Sequence, residues 1–485
     1  MRKKLSMLVF LAAVVALSCV RMATAEDAAT KPPSETGTVE DAIQASKNPV
    51  PWLSWGADVR LREIFTPNLL LDKEDRHFQR YRFRAWNKVT PIEDLDLNVR
   101  LVYEPRHFCQ PWREAQTRDA YYIDEWTGNE AIFDQMNVKW SKALGLPLTV
   151  TVGRQDIILG NGWLVLDGTP LDGSRTIFFD AARATMDFKD ANTKVDLIFI
   201  DQHADSDWWI KPFCDKDFHN IEQDVKGAIL YVTNTSLPKT EINAYFMYKH
   251  DEAVIGKEPG DISAGNVAPW QAGTDADIYA FGARAAGALG ENWKYRAEGA
   301  IQRGDKENRS RQRQDLEAYG ALTNLEYLFK DASQNSVHVG YEYASGDDPG
   351  TTGENEQFDL LWGEWPRWSE LLIYTYGSET SPAECTNLHR ANIGHRFNLN
   401  KQWQICTDYH ALWADEPAQD AADIKLKTSD VHSFRGHLVT LWAKYKFSDQ
   451  LSGHLLAEYF DPGAYYTAAN GDDAYFLRFD LQYTF

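Results

Sequence analysis

Apolar and polar residues alternate one by one along many short segments of this chain. In the last of them, residues 474–485, every odd position from Tyr475 to Phe485 is apolar, and the even positions from Arg478 onward are polar. Successive side chains of a β-strand point to opposite faces, so the segment predicts a strand with one apolar and one polar face. A helical period would scatter the same apolar residues around a cylinder.

The period of two recurs from Trp55 onward and predicts about eighteen strands. We place them near residues 55–62, 80–85, 95–103, 131–140, 148–155, 179–189, 194–202, 223–233, 240–250, 277–288, 293–303, 316–329, 336–345, 388–399, 402–413, 436–447, 450–460 and 474–485. Between them, short turns alternate with long polar connections. Transmembrane β-barrels have this asymmetry, with short periplasmic turns and long external loops. We therefore predict an all-β, antiparallel transmembrane barrel over residues 52–485.

The aromatic terminal strand favours the same architecture. Such a strand at the end of a soluble sheet would be a template for aggregation, whereas a closed barrel uses its last strand to seal its first. The stretch resembles the C-terminal assembly signal of bacterial outer-membrane barrels. This resemblance implies the barrel-assembly machinery as a partner, and outer-membrane lipid with lipopolysaccharide as the surroundings.

Residues 1–25 have the pattern of a secretory signal peptide. Three basic residues, Arg2 to Lys4, precede an apolar run from Leu8 to Leu17, and Ala23-Thr-Ala25 supplies a small-residue cleavage pattern. We predict cleavage before Glu26, while Cys19 leaves a lipoprotein alternative open. Residues 26–51 then form a flexible periplasmic segment, rich in Ala, Thr, Glu and Pro. No stretch is apolar for long enough to predict a transmembrane helix.

Composition narrows the class of partner and chemistry. Aromatic residues make up 13% of the chain, including 17 Trp and 22 Tyr, which suits the aromatic girdles of a barrel. The net charge is -21, and removal of residues 1–25, with four basic residues and no acid, would bring it to -25. Nucleic acid is therefore not an expected partner. No metal-site or hydrolase motif occurs, so we predict no cofactor and no enzymatic activity.

The polar faces of the predicted strands carry many arginines. The first three strands contribute Arg60, Arg62, Arg80, Arg82, Arg84 and Arg100. Later strands place further basic residues on the same face, namely Arg183, Lys226, Arg284, Lys294, Arg296, Arg390, Arg396, Lys444 and Arg478. If the apolar faces meet lipid, these side chains line the lumen, where rings of Arg favour anions in a water-filled pore. The alternative is that they pair with lumen acids across strands and stiffen the wall.

The segment Gly153-Arg-Gln-Asp-Ile-Ile-Leu-Gly160 is followed, after a loop, by Arg175-Thr-Ile-Phe-Phe-Asp-Ala-Ala-Arg183. This pattern resembles the alginate export family of outer-membrane porins. The resemblance implies an eighteen-stranded barrel with an arginine-rich constriction that passes anionic polysaccharide outward by diffusion. It adds Arg154 and Arg183 as pore-lining candidates. It also implies that loop 105–130, with Arg106, Arg113 and Arg118, folds into the pore.

Two segments depart from the family pattern, since 161–168 is apolar and 362–368 is rich in Trp. Trp faces stack on sugar rings or on Arg, and they also pack folded loops. We predict an outer-membrane porin for anionic polysaccharide (alginate-like) or small anions. A general nutrient-uptake porin, an outer-membrane hydrolase and a sealed structural barrel stay open as alternatives.

Overall fold

The computed structural model describes residues 46–109, 126–128, 130–166, 178–204, 213–214, 223–253, 274–308, 311–363, 365–379, 385–417, 426 and 428–485. Within these residues, eighteen antiparallel strands form a closed barrel. They are β1 (Leu53–Pro67), β2 (Asp75–Ile92), β3 (Leu95–Tyr103), β4 (Glu130–Trp140), β5 (Leu148–Gln155), β6 (Phe179–Phe188), β7 (Thr193–Gln202), β8 (Val225–Asn234), β9 (Thr240–Asp251), β10 (Ala276–Leu289), β11 (Trp293–Glu307), β12 (Arg313–Leu328), β13 (Ser336–Ala344), β14 (Leu388–Asn398), β15 (Trp403–Trp413), β16 (Phe434–Lys446), β17 (Leu451–Pro462) and β18 (Ala474–Thr484).

Smaller elements lie in the connections of the described residues. Short strands cover Arg106–Phe108, Trp126–Thr127, Phe213–Cys214 and Glu354–Asn355. One α-helix, α1, spans Glu370–Glu379, and short 3₁₀ turns cover Ala143–Gly145, Lys189–Ala191 and Ala468–Asn470. No helix in the described ranges is long and apolar enough to cross a membrane.

The barrel closes because its last strand pairs with its first. β18 runs antiparallel to β1, with Arg62 opposite Asp480 and Leu61 opposite Leu481. The remaining strands each pair with their neighbours in the chain. No sheet edge is left among these eighteen strands, which is the arrangement that satisfies backbone groups in a bilayer. The predicted barrel and its eighteen strands are confirmed.

The two ends of the barrel differ as the sequence predicted. At one end, eight connections of seven residues or fewer join the strands in pairs, from residues 93–94 to residues 447–450. At the other end lie the long connections, including 104–129, 156–178 and 345–387. We call these the short-turn end and the long-loop end. In outer-membrane barrels they face the periplasm and the exterior.

Alternating side chains separate the outer surface from the interior. On β1, Asp58, Arg60 and Arg62 are buried, whereas Trp55 and Phe65 are exposed on the opposite face. Large apolar side chains are likewise exposed on the outward face of the other strands. This inversion of the soluble pattern is what a lipid-facing wall requires.

An apolar core fills the interior at the long-loop end. This loop core consists of inward-folded residues Leu69, Leu71, Ile157, Trp163, Leu164, Val165, Phe358, Leu360, Leu361, Trp362, Leu371, Leu372 and Tyr376. It packs against apolar side chains of the inner wall, among them Ile64, Ile229 and Phe476. The connections 156–166 and 345–376 therefore reach into the barrel and narrow it.

Wall glycines make room for the loop core. A Cβ on Gly227 would lie 2.4 Å from the ring of Trp362, and one on Gly320 would lie 2.6 Å from the ring of Phe358. Real Cβ atoms do not approach other atoms so closely, because interiors are close-packed. The two aromatic rings are therefore seated in notches of the wall.

Residues 1–45 lie outside the described residues. The predicted signal peptide and most of the predicted periplasmic segment therefore stay predictions.

Candidate functional site

Five of the predicted arginines form a compact group on the inner faces of β1 and β2. Arg60 lies directly opposite Arg82, and Arg62 lies opposite Arg80. All four are buried, and Arg84 follows next on the same face of β2. Like charges that face each other across strands destabilise a sheet, so the group depends on nearby carboxylates.

Three carboxylates of the described residues serve this group. Glu104 accepts hydrogen bonds from Arg60 at 3.2 Å and from Arg80 at 2.6 Å. Asp58 accepts from Arg84 at 2.5 Å and from Arg82 at 3.5 Å, while Asp480 accepts from Arg62 at 2.8 Å. The sequence placed the arginines on one face, and the structure adds the acids that hold them there.

Arg100, Arg154 and Arg183 are balanced by their own partners. Arg100 donates one hydrogen bond to Asp134 and one to each carboxylate oxygen of Asp156, all three at 2.8 Å. Arg154 donates to both carboxylate oxygens of Asp180, at 2.8 and 2.9 Å. Arg183 donates to Asp196 at 2.8 Å. Two-point contacts fix geometry strongly, so Arg100 and Arg154 fit the wall-stiffening alternative better than a mobile path for anions. Arg183 makes a single contact with its partner.

Arg284 joins the loop core to the wall. Its guanidinium donates to Glu241 at 2.7 Å and to Asn243 at 2.6 Å, both on β9. It also donates to the side-chain oxygen of Asn161 at 2.6 Å. Segment 156–166 is therefore anchored by a wall arginine.

The last two predicted arginines lie on β14. Arg390 donates to Glu342 at 2.9 Å and sits 4.8 Å from the ring centre of Trp368. Arg396 pairs with Glu326 nearer the short-turn end and is half-exposed. Arg390 thus meets the Trp-rich segment that the sequence singled out, whereas Arg396 does not.

Loop 105–130 is described only in part. Arg106 lies in the short strand that pairs with β2. Arg113 and Arg118 lie outside the described residues, so the predicted insertion of this loop into the pore stays a prediction.

Segment 345–387 is held inside the barrel by polar contacts as well as by the loop core. Asp359 accepts from Lys249 at 3.4 Å, and its backbone N–H donates to Gln302 at 2.9 Å. Burial acts to raise the pKa of Asp359, but Lys249 and Lys306 outweigh it and hold the pKa below its usual value. Asp359 therefore stays charged and ties the segment to β9 and β11.

Arg435 and Arg478 hold the end of the same segment. Arg478 lies 2.9 Å from the carboxylate of Glu370, at the start of α1. Arg435 donates to the backbone carbonyl of Asn387 at 3.3 Å and lies 4.3 Å from the ring centre of Tyr465. These contacts fix the segment in place, so it narrows the lumen as a rigid constriction.

A cavity of about 440 Å³ lies below the loop core, toward the short-turn end. Its wall includes Arg296, Arg390 and Lys444 from the strands, and Arg367 from the inserted segment. Sequence reasoning placed Arg296 and Lys444 on the inner face but not in a site, and it did not single out Arg367. The signal for Arg367 was its position between Trp365 and Trp368, in the segment that departs from the family pattern.

With the barrel and its inner face established, comparison with known proteins decides the family. A sequence model of the alginate export family matches residues 52–479. The chain belongs to this family. It is accordingly an outer-membrane porin, and the predicted location in the outer membrane is confirmed. The family and the fold are those of porins, which are not enzymes.

Solved structures share the fold at low sequence identity. The crystal structure of OccAB2 from Acinetobacter baumannii matches with a TM-score of 0.51 and 11% identity, covering 89% of this chain and 98% of that one. OccAB1 from the same organism matches with 0.52 and 11%, covering 89% and 96%. OccK8 (OprE) from Pseudomonas aeruginosa matches with 0.51 and 10%, covering 89% and 98%. At such identities the likeness shows the fold alone.

A search of curated protein sequences finds no match to this chain.

Proposed function

We propose that this porin passes anionic solutes by diffusion along the basic inner face of its barrel. The observation that carries the proposal is the arginine group of β1 and β2, in which Arg60 faces Arg82 and Arg62 faces Arg80 on the inner face of the barrel. Closely spaced guanidiniums on the wall of a water-filled pore raise the local concentration of anions without holding them tightly.

The family supports an anionic polysaccharide, alginate-like, as the solute, because its name is alginate export. The loop core favours a second candidate, the uptake of small anions. Folded segments fill the barrel interior at the long-loop end, and a narrowed lumen suits a small solute better than a continuous polymer. In both cases the arginine group supplies the attraction.

Reversal potentials in a planar bilayer test the arginine path. Under a KCl gradient the wild-type porin is expected to prefer chloride to potassium, because fixed positive charge favours the anion. The variant with Arg80→Gln and Arg82→Gln should lose most of that preference. Arg303→Gln is the matched control, since Arg303 pairs with Glu317 at 2.6 Å on the outer surface. Chloride preference that is unchanged in the double variant would sink the proposal.

The two candidate solutes, a polymer and a small anion, are distinguished by testing which molecules block the channel and which cross it. Alginate oligomers of increasing length should interrupt the current if the polymer passes, while acetate and glucuronate alone should cross if the small-anion candidate holds. The two alternatives of another class, a hydrolase and a sealed structural barrel, are tested separately. Channels without hydrolysis of esters or glycans contradict a hydrolase, and any conductance contradicts a sealed structural barrel.

A further inference from the structure

A group of side chains with metal-binding atoms lies on the outer face of the wall at the long-loop end. Glu63 belongs to β1 and His77 to β2, while His107 and Cys109 belong to the short strand Arg106–Phe108 and the residue after it. The Cys109 N–H donates to the carbonyl of His77 at 2.9 Å, so this short strand continues the sheet beside β2. We call these four residues the outer-wall group. Because they come from three strands, no sequence motif indicates them.

The spacing of the ligand atoms fits a tetrahedral metal ion. Oε1 of Glu63, Nε2 of His77 and Sγ of Cys109 all lie within 4.8 Å of one another. Three such atoms share a point within about 2.8 Å of each, so movements of less than about 1 Å bring them to zinc bond lengths. Nδ1 of His107 lies 3.6 Å from Sγ. A nitrogen and a sulfur on one tetrahedral zinc ion stand about 3.6 Å apart as well.

Neighbouring side chains orient the ligands. Gln79 donates to Oε2 of Glu63 at 2.7 Å, which leaves Oε1 in contact with Nε2 of His77. A metal ion would take the position of the proton that these two atoms share. The ring of His107 packs on the ring of Trp126, with the ring centres 4.5 Å apart. Supporting contacts of this kind hold metal ligands in place and increase their affinity.

Charge balance favours a divalent ion at this position. Glu63 faces Gln79 on one side of β1 and Phe479 on the other, where the wall is apolar. A carboxylate beside lipid-facing apolar side chains is costly unless its charge is balanced. A protonated His77 balances the carboxylate alone, whereas a divalent ion balances the Cys109 thiolate as well. With two neutral imidazoles the complete site has no net charge.

A second cluster on the same face of the wall has its charge balanced by the protein. His250, Asp275 and Asp277 also place their ligand atoms within 4.8 Å of one another. The Arg313 guanidinium, however, lies 3.3 Å from each of the two carboxylates. The members of this cluster are one imidazole and two carboxylates, with no thiol among them. The outer-wall group is therefore the better metal site of the two.

We propose that the outer-wall group binds a zinc ion. Thiolate and imidazole ligands suit zinc, whereas calcium and magnesium prefer sites made of oxygen atoms. Cys109 binds as the thiolate and releases its proton to solvent. The ion joins β1 and β2 to the first residues of connection 104–129, so it fixes the base of that loop to the wall. The site lies on the opposite face of the wall from the arginine group and does not depend on the proposed anion path.

Zinc titration of the full-length porin in detergent micelles tests the site. After treatment with EDTA and a thiol reductant, and removal of both, the porin should bind one zinc ion per chain in isothermal titration calorimetry. Calcium and magnesium should not compete. Cobalt(II) at the same site should show the thiolate-to-cobalt charge-transfer absorption that requires a Cys ligand. Zinc should also raise the unfolding temperature, because it binds the folded chain.

Variants of the ligands identify the site. Cys109→Ser and His77→Gln should each weaken zinc binding at least about tenfold, because each removes a direct ligand. Cys406→Ser and His250→Gln are the matched controls and should bind zinc as the wild type does. Cys406 is a half-buried thiol on β15, and His250 belongs to the cluster that Arg313 balances.

Three outcomes overturn the site: no stoichiometric zinc binding, equal affinity in the two ligand variants and the wild type, or bound cobalt without the charge-transfer absorption. Alkylation of Cys109 by iodoacetamide, followed by mass spectrometry, gives a second measurement on the wild type should a variant fail to fold. Cys109 is exposed, so it should react readily without zinc and slowly with it. Equal alkylation rates would also overturn the site. None of these results bears on the chloride preference.

Discussion

The carboxylate of Glu458 accepts the backbone N–H of Leu371 at 2.8 Å, so the barrel wall caps the first turn of α1. The same carboxylate accepts from the Ser369 hydroxyl at 2.8 Å and from the Glu370 N–H at 3.0 Å. Free N–H groups and the positive end of the helix dipole favour a negative charge at this position. Glu458 of β17 thereby holds the first turn of the helix inside the lumen.

Glu458→Gln is expected to loosen segment 365–376. The amide NH₂ of Gln would face a backbone or hydroxyl donor, and the loss of the charge-assisted contacts should cost about 1–3 kcal/mol. We expect larger current fluctuations and a higher mean conductance in single-channel recordings. Glu317→Gln removes a carboxylate from the outer surface of β12 and should leave the recordings unchanged. Recordings of Glu458→Gln that match the wild type would contradict the capping role.

Gly320→Ala tests the notch that holds Phe358. The new methyl group would lie 2.6 Å from the ring, so Phe358 or the wall must move. Forcing extra volume into packed interiors costs about 1–3 kcal/mol, and we expect a lower unfolding temperature with altered conductance. Gly299→Ala is the matched control, because within 4 Å its Cβ would meet one atom of the described residues, at 3.7 Å. Equal unfolding temperatures for the two variants would show that the notch is not needed.

Arg100→Gln should affect stability far more than ion selectivity. It leaves Asp134, with 0% exposure, without its charged partner and frees Asp156. Breaking a buried pair on one side costs about 3–5 kcal/mol. Urea unfolding in detergent micelles should show this loss, while the reversal potential should change less than in the Arg80/Arg82 double variant. A large loss of chloride preference would instead place Arg100 on the anion path.

We expect the stability of the loop around Asp347, at the long-loop end, to depend on pH. Burial, together with the neighbouring Glu356 carboxylate, raises the pKa of Asp347 to about 6. The folded loop therefore binds this proton more tightly than the unfolded loop, and its stability falls as pH rises from about 4 through 6. Amide exchange at Glu356, whose N–H donates to Asp347, measures this after correction for intrinsic exchange. Protection should decline with pH in the wild type and stay level in Asp347→Asn.

The strands could be predicted from sequence because their signal is local. Alternation with a period of two reflects only which face of a strand meets lipid. A segment such as 474–485 can therefore be recognised as a strand from its own residues. The side-chain partners could not be predicted in this way. Asp480 lies 418 residues from Arg62, and Asn161 lies 123 residues from Arg284. Only closure of the barrel and insertion of the loops bring these groups together.

The cavity below the loop core was less predictable still. The aromatic segment 362–368 stood out, but packing a loop and facing a solute are equally compatible with its composition. Trp362 is buried in the loop core, whereas Trp368, six residues further along the chain, lines the cavity. The difference arises from the path of segment 345–387 across the lumen, which is set by distant wall contacts such as Glu458.

The ion pair between Arg62 and Asp480 also bears on how the chain finishes its assembly. Sliding β18 against β1 by two residues would keep every apolar side chain on the lipid face, so hydrophobicity alone does not reject that error. The slip would, however, set Arg62 against Gln482 in one direction and against Arg478 in the other. The seam thus carries its own check on alignment, because only the observed register sets Arg62 directly opposite Asp480.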